Sequence, residues 1–146
     1  RVPLSGEAAG PADRTLVGLW SRTENSTEHR LLILPLGPRE WLVGWSAGGS
    51  TMLYARGWPV RWGETQLAQL EWIGTGEGRA AEGDRPFQLA AWSVAGRELT
   101  IRLVNGDVGR EATNATELAA ALEAARARGQ WLRDPMVFRR VESHQQ

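Results

Sequence analysis

The chain has 146 residues, with 17 basic and 17 acidic side chains and no cysteine, which is enough for one domain with a sizeable core. The zero net charge gives no electrostatic basis for a nucleic-acid partner, and the lack of cysteine excludes thiol nucleophiles, disulfides and zinc–thiolate sites in these residues. No apolar run approaches the roughly 18 residues that a membrane-spanning helix needs, so no transmembrane segment is predicted.

The first thirteen residues differ in composition from the rest. Two prolines and two glycines stand among small residues in 1–13. Such a composition buries too little apolar area to offset the entropy of ordering the chain. We therefore predict a flexible leader at 1–13, followed by a single β domain at 14–142.

Short strands separated by turn residues are predicted next, at 15–23, 29–34 and 40–46. In the following strand five apolar or aromatic side chains occupy even positions, namely Met52, Tyr54, Trp58, Val60 and Trp62. Even spacing places them on one face of a pleated strand, which we expect to be interior. Pro59 cannot donate to a sheet ladder, so the strand should be bulged or bent there, or lie at an exposed edge.

The second half contains the clearest hairpin and one helix. A strand at 65–73 and a glycine-rich loop at 74–84 precede paired strands at 86–94 and 97–104, which turn at Ala95-Gly96. The period then becomes helical, with Asn114 as the cap, Gly129 as the stop and an apolar stripe of Leu118, Ala121, Leu122 and Ala125. We expect this stripe to pack over one end of a barrel or against its outer wall, the alternative being contact with a partner. A last strand at 136–141 and a polar tail at 142–146 follow.

These elements predict a mostly β, up-and-down antiparallel barrel of about eight strands, with one α-helix before the last strand. A β-sandwich is the alternative. A barrel of about eight strands either is filled by its own side chains or holds one small ligand. The pattern leaves both interiors open.

Tryptophan is the most distinctive component of the composition. There are eight, and six of them fall between Trp20 and Trp72. They could line a cup or a sugar-stacking platform, or simply fill the core. If a cavity exists, the candidate ligand-binding residues are Trp45, Tyr54, Trp58, Trp62, Trp72 and Trp92.

Catalytic patterns are weak. His29 and His144 are the two histidines, and neither has a carboxylate or hydroxyl at an informative spacing. The glycines of 74–78 lack the lysine and the following helix of a phosphate-binding loop. Glutamates are scattered along the chain, which leaves a hydrolase with a carboxylate pair as the least favoured alternative: Glu40, Glu64, Glu71, Glu77, Glu82 and Glu98. We expect no enzyme activity, no catalytic residues, no metal and no cofactor.

Gly18-Leu19-Trp20 resembles the Gly-x-Trp of the first strand in lipocalins and the wider calycin group. From Leu16 to Val141 the layout is more closely similar to small bacterial envelope proteins of uncharacterised function, with TELAAAL at 116–122 ahead of a terminal strand VFRRV at 137–141. The resemblance implies a lipocalin-like barrel with Trp20 at its closed end, stacked under Arg139 or Arg140 from the last strand. In many members it implies a hydrophobic ligand in the cup.

The expected function is therefore non-catalytic binding of a small hydrophobic or amphipathic ligand in a barrel cavity of the bacterial cell envelope. The alternative is a filled barrel that serves as an interaction or envelope assembly module, with an envelope protein partner or a weak homodimer. The expected location is periplasmic or lipid-anchored, with the cytoplasm as the alternative. The start at Arg1 suggests an export signal or anchor cysteine further upstream.

Overall fold

The computed structural model describes residues 3–4, 8–49, 51–79, 86–105 and 107–141. These residues form a 3-10 helix (Arg14–Leu16), an α-helix α1 (Ala115–Ala127) and nine strands: β1 (Gly18–Glu24), β2 (Thr27–Pro35), β3 (Trp41–Ala47), β4 (Leu53–Trp62), β5 (Thr65–Thr75), β6 (Gly78–Arg79), β7 (Phe87–Ala95), β8 (Glu98–Leu103) and β9 (Met136–Arg140).

Eight of the strands close into an antiparallel barrel. The strand order is β4-β3-β2-β1-β9-β8-β7-β5, and β4 also pairs with β5. The first and last strands meet where Trp20 lies opposite Arg140. The two-residue β6 pairs antiparallel with the last two residues of β5. The predicted up-and-down barrel with one helix before the last strand is thus confirmed, and the sandwich alternative is not observed.

Closure of the barrel corrects the expectation at Pro59. Strand β4 pairs on both sides, and Pro59 is fully buried opposite Ala68, so it does not lie at an exposed edge. The irregularity in the β4–β5 pairing falls at Tyr54 and Ala55 instead. The pairing of β3 with β4 stops where Trp41, the first residue of β3, lies opposite Gly57. Strand β4 therefore continues past β3 before it reaches Pro59. A missing N–H is tolerated more easily where one neighbouring strand has ended.

Two hydrophobic clusters lie on opposite faces of the barrel wall. The lumen cluster contains Trp20, Leu31, Ile33, Trp41, Val43, Leu99 and Phe138. The outer cluster, where α1 covers the wall, contains Trp58, Val60, Trp62, Leu67, Leu118 and Leu122. The helix therefore packs on the outside of the barrel through its predicted apolar stripe.

The even-numbered side chains of β4 share a face, but that face is not the lumen. Val43 pairs with Ala55 and Trp41 with Gly57, and paired residues point to the same side of a sheet. Because Trp41 and Val43 belong to the lumen cluster, the odd positions of β4 face inward. Trp58, Val60 and Trp62 lie instead in the outer cluster, where α1 packs. The expectation of an interior face inside the barrel was wrong.

Part of the expected leader contacts the barrel. Leu4 is buried in the outer cluster, and its N–H donates to Gln69 Oε1 at 2.7 Å. The N–H of Ala9 donates to the Pro59 carbonyl at 2.7 Å, and Ala12 lies in the lumen cluster. Residues 1–2 and 5–7 lie outside the described residues. Flexibility of 1–13 stays a prediction, but the packed structure begins before residue 14.

The predicted loop at 74–84 is described only in part. Its first six residues comprise the end of β5, a tight turn at 76–77 and β6. Residues 80–85 and the predicted tail at 142–146 lie outside the described residues. Within the described ranges, no helix has the length and apolar character needed to cross a membrane.

Candidate functional site

A cavity of about 310 Å³ occupies the barrel lumen. Seven strands and the 3-10 helix contribute to its wall, and sixteen of the twenty lining residues are apolar. Ala68 and Ala90 are cross-strand partners on this wall. Their small side chains leave space that larger residues would fill, so the lumen is hollow above its packed base.

The closed end of the barrel is built around Trp20. Its side chain is completely buried, and its indole N–H donates to the Leu16 carbonyl at 2.9 Å. The guanidinium carbon of Arg140 lies 4.2 Å from the centre of the Trp20 ring. Arg139 instead forms an ion pair with Glu98 at 3.0 Å, with both side chains exposed. Of the two arginines that the resemblance offered, Arg140 is the one that stacks.

The floor of the cavity is tied to the N-terminal segment at Asp13. The indole N–H of Trp41 donates to the Asp13 backbone carbonyl at 3.0 Å, and that of Trp92 donates to its carboxylate at 3.4 Å. The two rings meet edge to face, 5.7 Å apart. Burial acts to raise the pKa of Asp13, but hydrogen bonds from Thr15 and Trp92 outweigh it and hold the pKa below its ordinary value.

The polar lining residues lie towards the opposite end. Strand β1 runs from Trp20 to Arg22 and Glu24, and Arg22 lies opposite His29 on β2. Arg22 donates to Glu24 at 2.9 Å. The ring of His29 stacks on Trp45 with centroids 5.7 Å apart. This end is the mouth, since the base is occupied by Trp20 and the 3-10 helix.

Three of the six candidate ligand-binding residues line the cavity, namely Trp45, Trp72 and Trp92. Trp58 and Trp62 lie in the outer cluster instead. Tyr54 is also on the outer face, where its ring would lie 3.4 Å from a Cβ built on Gly44. These three side chains are therefore excluded from the site, because the strand that carries them turns its other face inward. Whether ligand touches the three lining indoles stays a prediction.

Sequence reasoning missed Trp41 and several aliphatic lining residues. Trp41, Val43 and Trp45 alternate along β3 in the same way as the even positions of β4, so the signal for a shared face was present. Gln88 was also missed. Its side-chain oxygen accepts the Trp72 N–H at 3.1 Å.

Two of the scattered glutamates share one arginine. Arg56 donates to Glu40 at 2.8 Å and to Glu71 at 3.1 Å. Arg56 lies on the outer face beside Trp58, with its guanidinium 4.5 Å from the ring centre. Arg56 therefore links Glu40, which immediately precedes β3, to Glu71 on β5. Within the described ranges of the chain, no group of three or more His, Asp or Glu side chains could hold a metal ion.

No protein-family model, curated protein or solved structure matches this chain significantly. The fold is a closed eight-stranded antiparallel barrel, compatible with a lipocalin-like architecture. The function of this protein is therefore inferred from the geometry of its cavity.

Proposed function

We propose that this protein binds one small hydrophobic or amphipathic molecule in the barrel cavity, without catalysis. The observation that carries the proposal is a lumen space of about 310 Å³ with a mostly apolar wall. Pockets for small ligands start at about 300 Å³ and combine apolar walls with a few polar groups. The size favours one compact molecule or a single chain.

Affinity would come from burying apolar surface against the tryptophans. The N–H groups of Trp41, Trp72 and Trp92 are already bonded to Asp13 or Gln88. Ring surface is therefore the main feature that these indoles can offer to a ligand. Each square ångström of apolar surface removed from water contributes about 25 cal/mol. Binding of this kind requires no cofactor and no covalent step.

We extend the proposal to a lipocalin-like protein of the bacterial cell envelope, either periplasmic or lipid-anchored. The support is the closed end, where Gly18, Trp20 and Arg140 meet as the calycin resemblance implies. Fractionation of bacteria that express the complete natural gene product would test the location. Recovery in the cytoplasm alone would contradict it.

The binding proposal can be tested by blocking the cavity. Ala90→Phe places a ring in the lumen, whereas Ala120→Phe adds the same ring on an exposed position of α1. We expect decanol to change the tryptophan fluorescence of the wild-type protein saturably. The lumen substitution should weaken binding at least tenfold, and the helix substitution should leave it unchanged. Far-ultraviolet circular dichroism would verify that both variants fold.

A flat fluorescence response to decanol and to a panel of apolar probes would contradict the proposal. So would equal binding by the wild-type protein and the Ala90→Phe variant.

One observation favours the second candidate function, an envelope interaction or assembly module. Leu34 and Leu36 are 39% and 43% exposed near the closed end. Exposed apolar side chains that lie together can mark a protein contact. A change of apparent mass with concentration in analytical ultracentrifugation, abolished by Leu34→Ser, would support a weak homodimer.

A further inference from the structure

The cavity has opposite chemical character at its two ends. Strand β1 rises by about 3.3 Å per residue, so Arg22 and Glu24 lie about 7 Å and 13 Å beyond Trp20 towards the mouth. His29 lies directly across from Arg22. The base is closed by Leu16, Trp41 and Phe138, all buried and apolar. An amphipathic molecule would therefore enter with its apolar end first.

Arg22 and Glu24 are not equivalent partners. The Arg22 side chain is 20% exposed, whereas that of Glu24 is 52% exposed at the end of β1. A guanidinium has five N–H donors and keeps its charge in proteins. One of these donors is bonded to Glu24 within the described residues. Arg22 is itself one of the residues that line the cavity.

An apolar ligand in the cup would remove water from around Arg22. A desolvated cation is costly unless an anion compensates it, and Glu24 is too exposed to do so fully. A ligand with its own anionic group at the mouth would supply the missing partner. Charge-assisted bonds of this kind are among the stronger hydrogen bonds.

We propose, on the basis of the proposed function, that the cavity selects single-chain amphiphiles with a carboxylate headgroup, which Arg22 binds at the mouth. The chain lies among the tryptophans, and the carboxylate competes with Glu24 for the guanidinium. The adjoining rim carries Arg133 and Asp134 beside Arg22 and Glu24, so its formal charge is zero. The selectivity therefore comes from the position of Arg22 on the cavity wall.

The test compares three molecules with the same chain, namely decanoate, decanol and decylamine, by isothermal titration calorimetry. Decanoate should bind the wild-type protein about tenfold more tightly than decanol, and decylamine should bind most weakly. In the Arg22→Met variant, the ratio of the decanoate affinity to the decanol affinity should fall to about one. In Glu24→Gln, decanoate binding should become tighter, because its competitor is gone.

The chain offers a matched control on the neighbouring strand. Arg30 pairs with Glu28 at 3.4 Å, also two residues apart, but both side chains are about half exposed and lie on the outer face of the barrel. Arg30→Met should leave the preference for decanoate intact. If Arg22→Met fails to fold, Glu24→Gln still tests the proposal, because it should raise the affinity for decanoate relative to that for decanol.

Equal affinities for decanoate and decanol would overturn the headgroup inference and leave the proposed function standing. If decylamine bound most tightly, Glu24 would be the headgroup partner, and the headgroup inference would be overturned. Failure of all three to bind would overturn both.

Discussion

Gly18 lacks a side chain at the point where the Arg140 guanidinium crosses the first strand. A Cβ at this position would lie 2.5 Å from Arg140 Nη1, and the backbone has a φ of +146°, which side chains disfavour. Arg140 donates from Nη1 to the Val17 carbonyl and from Nη2 to that of Thr15, both at 2.9 Å. The glycine therefore permits the stack on Trp20 that joins the two ends of the sheet.

We expect Gly18→Ala to destabilise the protein by displacing this guanidinium from its two carbonyls and its ring. The cost should be about 1–2 kcal/mol beyond that of Gly78→Ala. Gly78 has a similar φ of +155°, but nothing lies within 4 Å of its Cβ position, so it isolates the backbone strain. Urea denaturation would measure the free energy of unfolding of each variant.

A double-mutant cycle checks the cause. In an Arg140→Met background, Gly18→Ala should cost no more than Gly78→Ala. An unchanged excess cost in that background would show that the clash with Arg140 is not the reason.

At the scale of elements, α1 is fixed at both ends as well as along its face. Asn114 Oδ1 accepts the Glu117 N–H at 2.9 Å. The backbone and side chain of Thr113 donate to the Glu117 carboxylate and lower its pKa. At the other end, the Arg126 guanidinium lies 4.3 Å from the centre of the Trp62 ring. The helix is thus a cover for the outer wall and leaves the mouth to the strand ends.

Leu122 should contribute strongly to stability and little to ligand binding. It is completely buried in the outer cluster, so Leu122→Ala should cost about 2–5 kcal/mol through lost contacts and a cavity. Leu36→Ala is the control, because Leu36 is 43% exposed, and it should change stability by less than about 0.5 kcal/mol. Thermal unfolding would compare the two. A Leu122→Ala protein that is still folded should bind decanol as tightly as the wild-type protein; weaker binding would contradict an exterior role.

At the scale of the whole molecule, Asp13 ties the N-terminal segment to strands that are not neighbours. It accepts hydrogen bonds from Trp41 on β3 and Trp92 on β7, while β4 and β5 lie between these strands on the shorter way around the barrel. The Thr15 N–H and hydroxyl also donate to its carboxylate, at 2.9 Å and 2.6 Å. The hydrogen bonds from Trp92 and Thr15 therefore favour an ionised carboxylate at the floor.

This contact predicts a pH-dependent contribution to stability. Because the folded-state pKa of Asp13 lies below its unfolded value, ionisation favours the folded protein. The contribution is complete above about pH 4 and is lost as the pH falls through the folded-state pKa. Asp13→Asn should therefore be less stable than the wild-type protein near neutral pH, and the difference should shrink in acid.

Urea denaturation between about pH 7 and pH 2.5 would measure that difference. Glu64, an exposed residue in the β4–β5 turn, provides the control, and Glu64→Gln should show a smaller difference from the wild-type protein near neutral pH. A gap between Asp13→Asn and the wild-type protein that stays constant with pH would contradict the argument.

The local pattern specified more of the fold than of the site. Alternation and turn residues located the strands and the period change located the helix, because both depend on neighbours within a few residues. Alternation also showed that Trp58 and Trp62 share a face. It could not tell a face buried in a lumen from one buried under a helix, since both exclude water equally. Trp41 and Trp45 carry the same pattern on β3 and do line the cavity.

By itself, the amino-acid sequence determined a meander of about eight short strands with one late helix. It favoured a closed barrel, because closing removes the strand edges, but left a β-sandwich as the alternative. The tertiary structure alone decided which side of each strand faces inward, that Arg140 and not Arg139 covers Trp20, and that the lumen is hollow. These outcomes depend on pairing register and on volumes summed across strands that lie far apart in the chain. A one-residue change of register would exchange the two faces.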